Sequence, residues 1–130
     1  MADRKTGGCE CGAVRFASDG PWRDVVFCHC EQCRRTSGHY WAATAVPREA
    51  LEITADNGLV WRQSSELARR GFCSKCGSSL FYERDGAPHT SIGAGTLDAP
   101  TSLSALRHIW VDSRADYYEL DDDLPKEPRQ

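Results

Sequence analysis

Apolar and polar positions alternate along this chain in runs too short for helices. Residues 13–18, AVRFAS, alternate and stop at Asp19-Gly20-Pro21. RDVVF (23–27) runs into Cys28, and YWAATAV (40–46) stops at Pro47. LEIT, LVWRQS, SLFYER, TSIGAG and LRHIWV follow between residues 51 and 111. Runs of this length, broken by Gly, Pro, Asp and Ser, are the pattern of strands joined by turns. They predict a mainly β domain of two or more small antiparallel sheets with little helix. Only EQCRRTS (31–37) suits one short helical turn. The closing DDDLPKEPRQ is charged and contains proline, and reads as an exposed end.

Composition adds limits. The chain has 130 residues, 40% hydrophobic and 27% charged, the size of one compact domain. No apolar run approaches the roughly 20 residues of a membrane span. The opening MADRKTGG has no apolar stretch of the signal-peptide kind. The expectation is therefore a cytoplasmic protein with no membrane partner. A formal charge of −3 gives no basic excess to meet phosphates, so no nucleic-acid partner is expected.

Seven cysteines change the picture. They fall into three groups: Cys9 and Cys11; Cys28, Cys30 and Cys33; Cys73 and Cys76. Cysteines one residue apart make poor mutual disulfides, because that bond needs a defined Cα separation and torsion. They make good chelating pairs. GGCECG and FCSKCGSS each put two thiols on a glycine-rich turn. Brought together, the two turns give a closed four-thiolate site of the structural kind. Soft thiolates suit zinc. Iron is the poorer match, because rubredoxin-type sites use C-x-x-C twice and this chain has C-x-C in two groups.

Cys28, Cys30 and Cys33 are left for a second metal. One reading closes that site with an imidazole, from His39 in preference to His29. The other leaves a fourth position open for water or an incoming thiolate, the pattern of catalytic zinc. Thiolates make nearby cations matter. Arg34-Arg35 follow the triple group and Arg69-Arg70 precede Cys73, so one arginine of each pair is a candidate to offset thiolate charge or hold a carboxylate. Trp22, Trp41, Trp61 and Trp110 read as core, with Trp41 and Phe27 near enough to the triple group to line a pocket. His108 reads as packed or capping.

GGCECGAVRF, CHCEQCRRTSG and FCSKCGSSL, in that order, resemble the glutathione-dependent formaldehyde-activating enzymes, a family that includes the centromere protein V relatives. HIWVDSRADYYELDDDLP is similar to the family's closing segment. The resemblance gives a single domain over residues 7–125, with short tails at 1–6 and 126–130. It implies a β-tent, small antiparallel sheets leaning together around zinc. It implies structural zinc at Cys9, Cys11, Cys73 and Cys76, and a second, catalytic-type zinc at Cys28, Cys30 and Cys33. The implied activity joins glutathione to formaldehyde, as a carbon–sulfur lyase. Such zinc would make a bound thiol a thiolate near neutral pH and polarise an aldehyde. His29 or His39 is then a candidate proton shuttle, and Arg35, with Arg34 beside it, a candidate clamp for a glutathione carboxylate. Two rivals remain: a thiol carrier without turnover, and a zinc-stabilised interaction module.

Overall fold

The computed structural model describes residues 3–130. Its strands are β1 (Lys5–Gly8), β2 (Val14–Ser18), β3 (Val25–Cys28), β4 (Trp41–Pro47), β5 (Glu52–Asp56), β6 (Leu59–Ser65), β7 (Ala68–Cys73), β8 (Ser79–Arg84), β9 (His89–Gly93) and β10 (Ala105–Ile109). One helix, α1 (Glu31–Ser37), lies between β3 and β4. The mainly β expectation holds. A three-stranded sheet has the order β1-β2-β5, and a seven-stranded sheet the order β10-β3-β4-β9-β8-β7-β6. Every pairing is antiparallel except β10 with β3, which run parallel. Among the described residues, no helix is long and apolar enough to cross a membrane.

The two sheets share a core. Val14 and Phe16 on β2 meet Leu80 and Phe81 on β8, Val46 on β4 and Ile92 on β9, all at most 1% exposed. The Phe16 and Phe81 rings meet edge-on, 5.3 Å between centroids, and join the sheets. Of the four tryptophans expected in the core, Trp41 is buried, while Trp22 and Trp61 pack half-buried against its edge. Trp110, also half-buried, occupies a left-handed backbone turn at φ 58°.

Two features depart from the pattern. β7 has no alternating apolar signal, because its inward position is Arg70, buried at 9% exposure between Ala68 and Gly71. The charged C-terminal stretch is not a free end. The amides of His108 and Trp110 donate to Pro125 and Arg129, and the amide of Glu127 donates to His108 (2.9–3.0 Å). Its side chains face water while its backbone is held along β10. Of the expected N-terminal tail, residues 1 and 2 lie outside the described residues, and β1 begins at Lys5.

Candidate metal centres

The first centre is two copies of one turn. Between β1 and β2 the Cys9 amide donates to the Val14 carbonyl (3.0 Å), and Gly12 N–H returns to Cys9 (3.2 Å). Between β7 and β8 the Cys73 amide donates to Ser78 (3.0 Å), and Gly77 N–H returns to Cys73 (2.7 Å). Gly12 and Gly77 sit at φ +83° and +82°, which a side chain disfavours. Each turn thus exposes two sulfurs on its inside.

The Sγ atoms of Cys9, Cys11, Cys73 and Cys76 lie within 4.8 Å of one another. Cys9 to Cys11 is 3.7 Å and Cys11 to Cys73 is 3.8 Å. Four thiolates set tetrahedrally at about 2.3 Å from zinc stand about 3.8 Å apart. The spacing therefore fits a tetrahedral thiophilic ion. Polar hydrogens already meet the sulfurs. The Val14 amide donates to Cys9 (3.2 Å), and the Ser78 hydroxyl lies 3.1 Å from Cys76. The Ser78 hydroxyl and amide, with the Cys11 amide, bring the Cys76 thiol down to about 6.

The second centre is built on the junction of β3 and α1. Cys28 ends β3 and Cys30 is the N-cap of α1, its sulfur accepting from the Cys33 amide (3.3 Å) as a capping oxygen would. Cys33 sits one turn in, buried against Trp41 and Ala43. Gly38 closes the helix in the left-handed region. The three sulfurs lie within 4.8 Å of one another. The neighbouring Cys28 and Cys33 thiols hold Cys30 well below the usual thiol range, while Cys30 pushes Cys28 well above it. A metal would displace the protons that remain.

No histidine nitrogen joins either group among the described residues. His29, between two of the cysteines in sequence, turns the other way. Its Nε2 lies 2.8 Å from His108 Nδ1, its Nδ1 is 2.9 Å from the Tyr118 hydroxyl, and His108 Nε2 is 2.8 Å from Asp122. Burial and the neighbouring His108 lower His29 to about 4, so it is neutral near pH 7. The Asp122 carboxylate only accepts, which sets the Nε2–H tautomer at His108 and with it the direction of the chain. His108 donates to Asp122, His29 donates to His108, and Tyr118 donates to His29. His39 pairs its Nδ1 with the Tyr117 hydroxyl and packs on Tyr40, 4.5 Å between centroids. Phe27 points to the face opposite Cys28, against Tyr40 and His108.

The arginines sort the same way. Arg35 is exposed and held by Glu31 (3.0 Å), and Arg34 makes no bond to a sulfur. The cation at the sulfurs is Arg70, with Nη2 3.6 Å from Cys33 Sγ and its guanidinium 4.8 Å from the Tyr82 ring centre. The sequence offers Arg70 as a counter-charge through its place before Cys73; only the folded chain brings β7 against α1 and sets it at Cys33 instead. The inward arginine next to Gly71 was the available signal.

Two cavities lie beside α1 and the β7–β8 turn, and no cysteine is among their lining residues. A cavity of about 200 Å³ is lined by Arg62, Arg70, Trp41, Phe81, Thr36 and Ser79, among others. A second of about 350 Å³ shares Thr36, Trp41, Gly77 and Ser79 with it.

A model of the family described as glutathione-dependent formaldehyde-activating enzyme matches residues 4–113. The chain belongs to this family. A Halomonas elongata protein whose name carries the same description is 27% identical over 127 residues, covering 88% of this chain and 80% of that protein. A Schizosaccharomyces pombe protein named as an uncharacterised lyase is 24% identical over 116 residues, covering 88% of this chain and 83% of its own. A crystal structure of a Rhodobacter sphaeroides protein shares the fold, with a TM-score of 0.64 and 23% identity, covering 75% of this chain and 91% of that one. In this family member, both cysteine groups are placed where they could hold metal ions.

Proposed function

We propose that this protein is a zinc-dependent carbon–sulfur lyase of the family's type. It adds a thiol such as glutathione to a small aldehyde, or reverses that addition, in the reducing cytoplasm. The observation that carries the reading is the second centre: three clustered sulfurs, no fourth protein ligand among the described residues, and a cavity lined by Trp41 and Arg70, the two side chains that touch Cys33. Cys9, Cys11, Cys73 and Cys76 would hold a structural zinc, and Cys28, Cys30 and Cys33 a second one. Zinc bound there would supply a Lewis acid and a position at which a thiol loses its proton near neutral pH.

The chain's own residues do the rest. Arg70 sets a positive charge beside Cys33 and limits the build-up of negative charge as thiolates gather. Trp41 lines the neighbouring cavity and packs against Cys33, covering that sulfur's apolar side. In the addition, the substrate sulfur forms a bond to the carbonyl carbon. The π pair of the C=O bond moves to oxygen, which takes a proton from water. This step needs positioning and charge stabilisation more than a strong base.

The carrier reading has one observation in its favour. Both nitrogens of His29 are committed inside the protein, and His39 is paired with Tyr117, so neither is directed at the sulfurs. A steady-state assay with glutathione and formaldehyde decides. Lyase function predicts a rate above the spontaneous reaction that disappears in Cys30→Ser. A rate equal to the spontaneous one at every protein concentration leaves the carrier.

A further inference from the structure

Arg23 is a half-buried cation without a counter-ion. Its amide donates to the Ala45 carbonyl (3.0 Å), which ties the backbone to β4. Its side chain reaches along the same strand. Nη2 donates to the Ala43 carbonyl (3.0 Å) and Nε to the Asp24 carbonyl (3.3 Å). No carboxylate pairs with it among the described residues. Both bonds go to neutral carbonyls, so the charge is oriented and not neutralised. Burial, and then the neighbouring Arg107, lower the guanidinium from its ordinary value. Nη1 has no partner among the described residues and, unlike the Nε atoms of Arg34, Arg48 and Arg70, is not sealed from solvent.

Arg23 lines a cavity of about 380 Å³, within the range of small-molecule sites. The cavity sits at the Pro47 end of β4, and His89, opposite Pro47 in the β4–β9 register, lines it too. Cys28 lies opposite Trp41, at the other end of that strand. β4 is seven residues long, roughly 20 Å, so the cavity stands apart from the second centre. No cysteine is among its lining residues. The His89 ring nitrogens have no partner among the described residues and are open to solvent. Burial, then Arg23 and Arg48, lower His89, so it is neutral near pH 7 with one N–H to donate. Pro21, Pro47 and Pro88 form apolar walls over Val46. Proline loses no rotamer freedom when covered, so these walls are preorganised. The one acid in the lining is the exposed Glu49.

We infer that this cavity binds a small organic monocarboxylate, with its carboxylate on Arg23 Nη1 and His89 and its apolar body against the three prolines. A guanidinium N–H and an imidazole N–H take one oxygen each, the first bond being assisted by charge on both sides. One available guanidinium edge with an acid beside it suits one negative charge better than two, which separates a carboxylate from a phosphate dianion. The site is independent of the sulfur chemistry, since neither cysteine group contributes to it.

The test follows amide signals of the isotope-labelled full chain by NMR, with benzoate, benzamide and inorganic phosphate as probes. Benzoate shifts the amides of Arg23, Val46 and His89 saturably and leaves those of Cys28, Cys33 and Cys73 in place. It binds at least about tenfold more tightly than benzamide, as a charge-assisted bond implies, and more tightly than phosphate. Glu49→Gln removes a like charge at an exposed position and tightens benzoate severalfold with benzamide unchanged. Arg23→Met brings benzoate down to the level of benzamide, and the Glu49 variant keeps the test decisive where Arg23→Met folds poorly. Equal affinities for benzoate and benzamide, no saturable shift at these amides, or benzoate binding indifferent to Glu49→Gln would each overturn the site. Phosphate binding more tightly than benzoate would overturn the assignment to a monocarboxylate.

Discussion

The Ser79 hydroxyl donates to the Thr36 carbonyl, 3.2 Å away. Ser79 opens β8, three residues after Cys76 of the first centre, and Thr36 closes the helix that carries Cys33 of the second. The bond lies between the two centres and on a wall shared by the two cavities. It ties the strand that follows Cys76 to the helix that carries Cys33.

Ser79→Ala should therefore cost little stability, about 1 kcal/mol or less for a solvent-accessible bond. It should nevertheless weaken cobalt binding at the second centre while leaving the first unchanged. Metal titrations of parent and variant, followed by cobalt absorption, check this. Unchanged affinity at both centres would remove Ser79 as a link.

Cys73 is fully buried and joins Cys11 across a sequence gap of 62 residues. Binding free energy at such a site is folding free energy, on the order of 10 kcal/mol in small zinc domains, comparable to the whole stability of a domain. Cys73→Ser should leave a largely unfolded chain, read by far-UV circular dichroism and proteolysis. A variant that melts with the parent would sink the structural role of this centre.

Graded chelation should strip the metals in order. The second centre supplies one fewer protein ligand, so it should release first, with the fold retained. Native mass spectrometry would show a one-metal species before unfolding begins. Release of both metals in a single step with unfolding is the opposite outcome.

The hydrogen-bonded chain from Tyr118 to Asp122 fastens the C-terminal segment to β3 and β10. Tyr118→Phe leaves the buried His29 Nδ1 without its donor and should cost about 1–2 kcal/mol. The same change at exposed Tyr117 should cost much less. Asp122 is held down at about 2, first by His108 and then by Lys126. An unfolded aspartate titrates near 3.9. Between those values the unfolded chain binds more protons, so this contribution is complete above about pH 4 and fades towards about pH 2. The gap in urea midpoint between parent and Asp122→Asn should narrow as pH falls through that window. A gap independent of pH would contradict the assignment.

What could be read in the sequence follows from how strongly each residue constrains its neighbours. Val14 and Phe16 alternate with Arg15, and Leu80 to Glu83 sit in a run bounded by turns, so β2 and β8 were legible from hydropathy. The cysteine turns were legible because a C-x-C beside glycine has few other uses. β7 was not, since Arg70 faces inward and breaks the pattern that burial usually imposes. The parallel seat of β10 on β3 depends on backbone pairing between residues some 80 positions apart, which no local pattern encodes. The same holds for the closing segment, whose charged side chains conceal a hydrogen-bonded backbone. At the second centre the sulfurs were legible, and Arg70 was legible as a candidate counter-charge to thiolates, but the thiol it meets was not, because Arg70 stands near Cys73 in sequence and reaches Cys33 only through tertiary packing.

The central claim is that the position beside Cys28, Cys30 and Cys33 is filled by a thiol from solution. Cobalt absorption on addition of glutathione tests it most directly, because charge-transfer intensity grows with each added thiolate. The account predicts a rise at the second centre in the parent, no change at the first, and the same rise in His39→Ala, whose ring is engaged with Tyr117. A parent silent to glutathione, with a metal spectrum altered by His39→Ala, would contradict it and make His39 the fourth ligand.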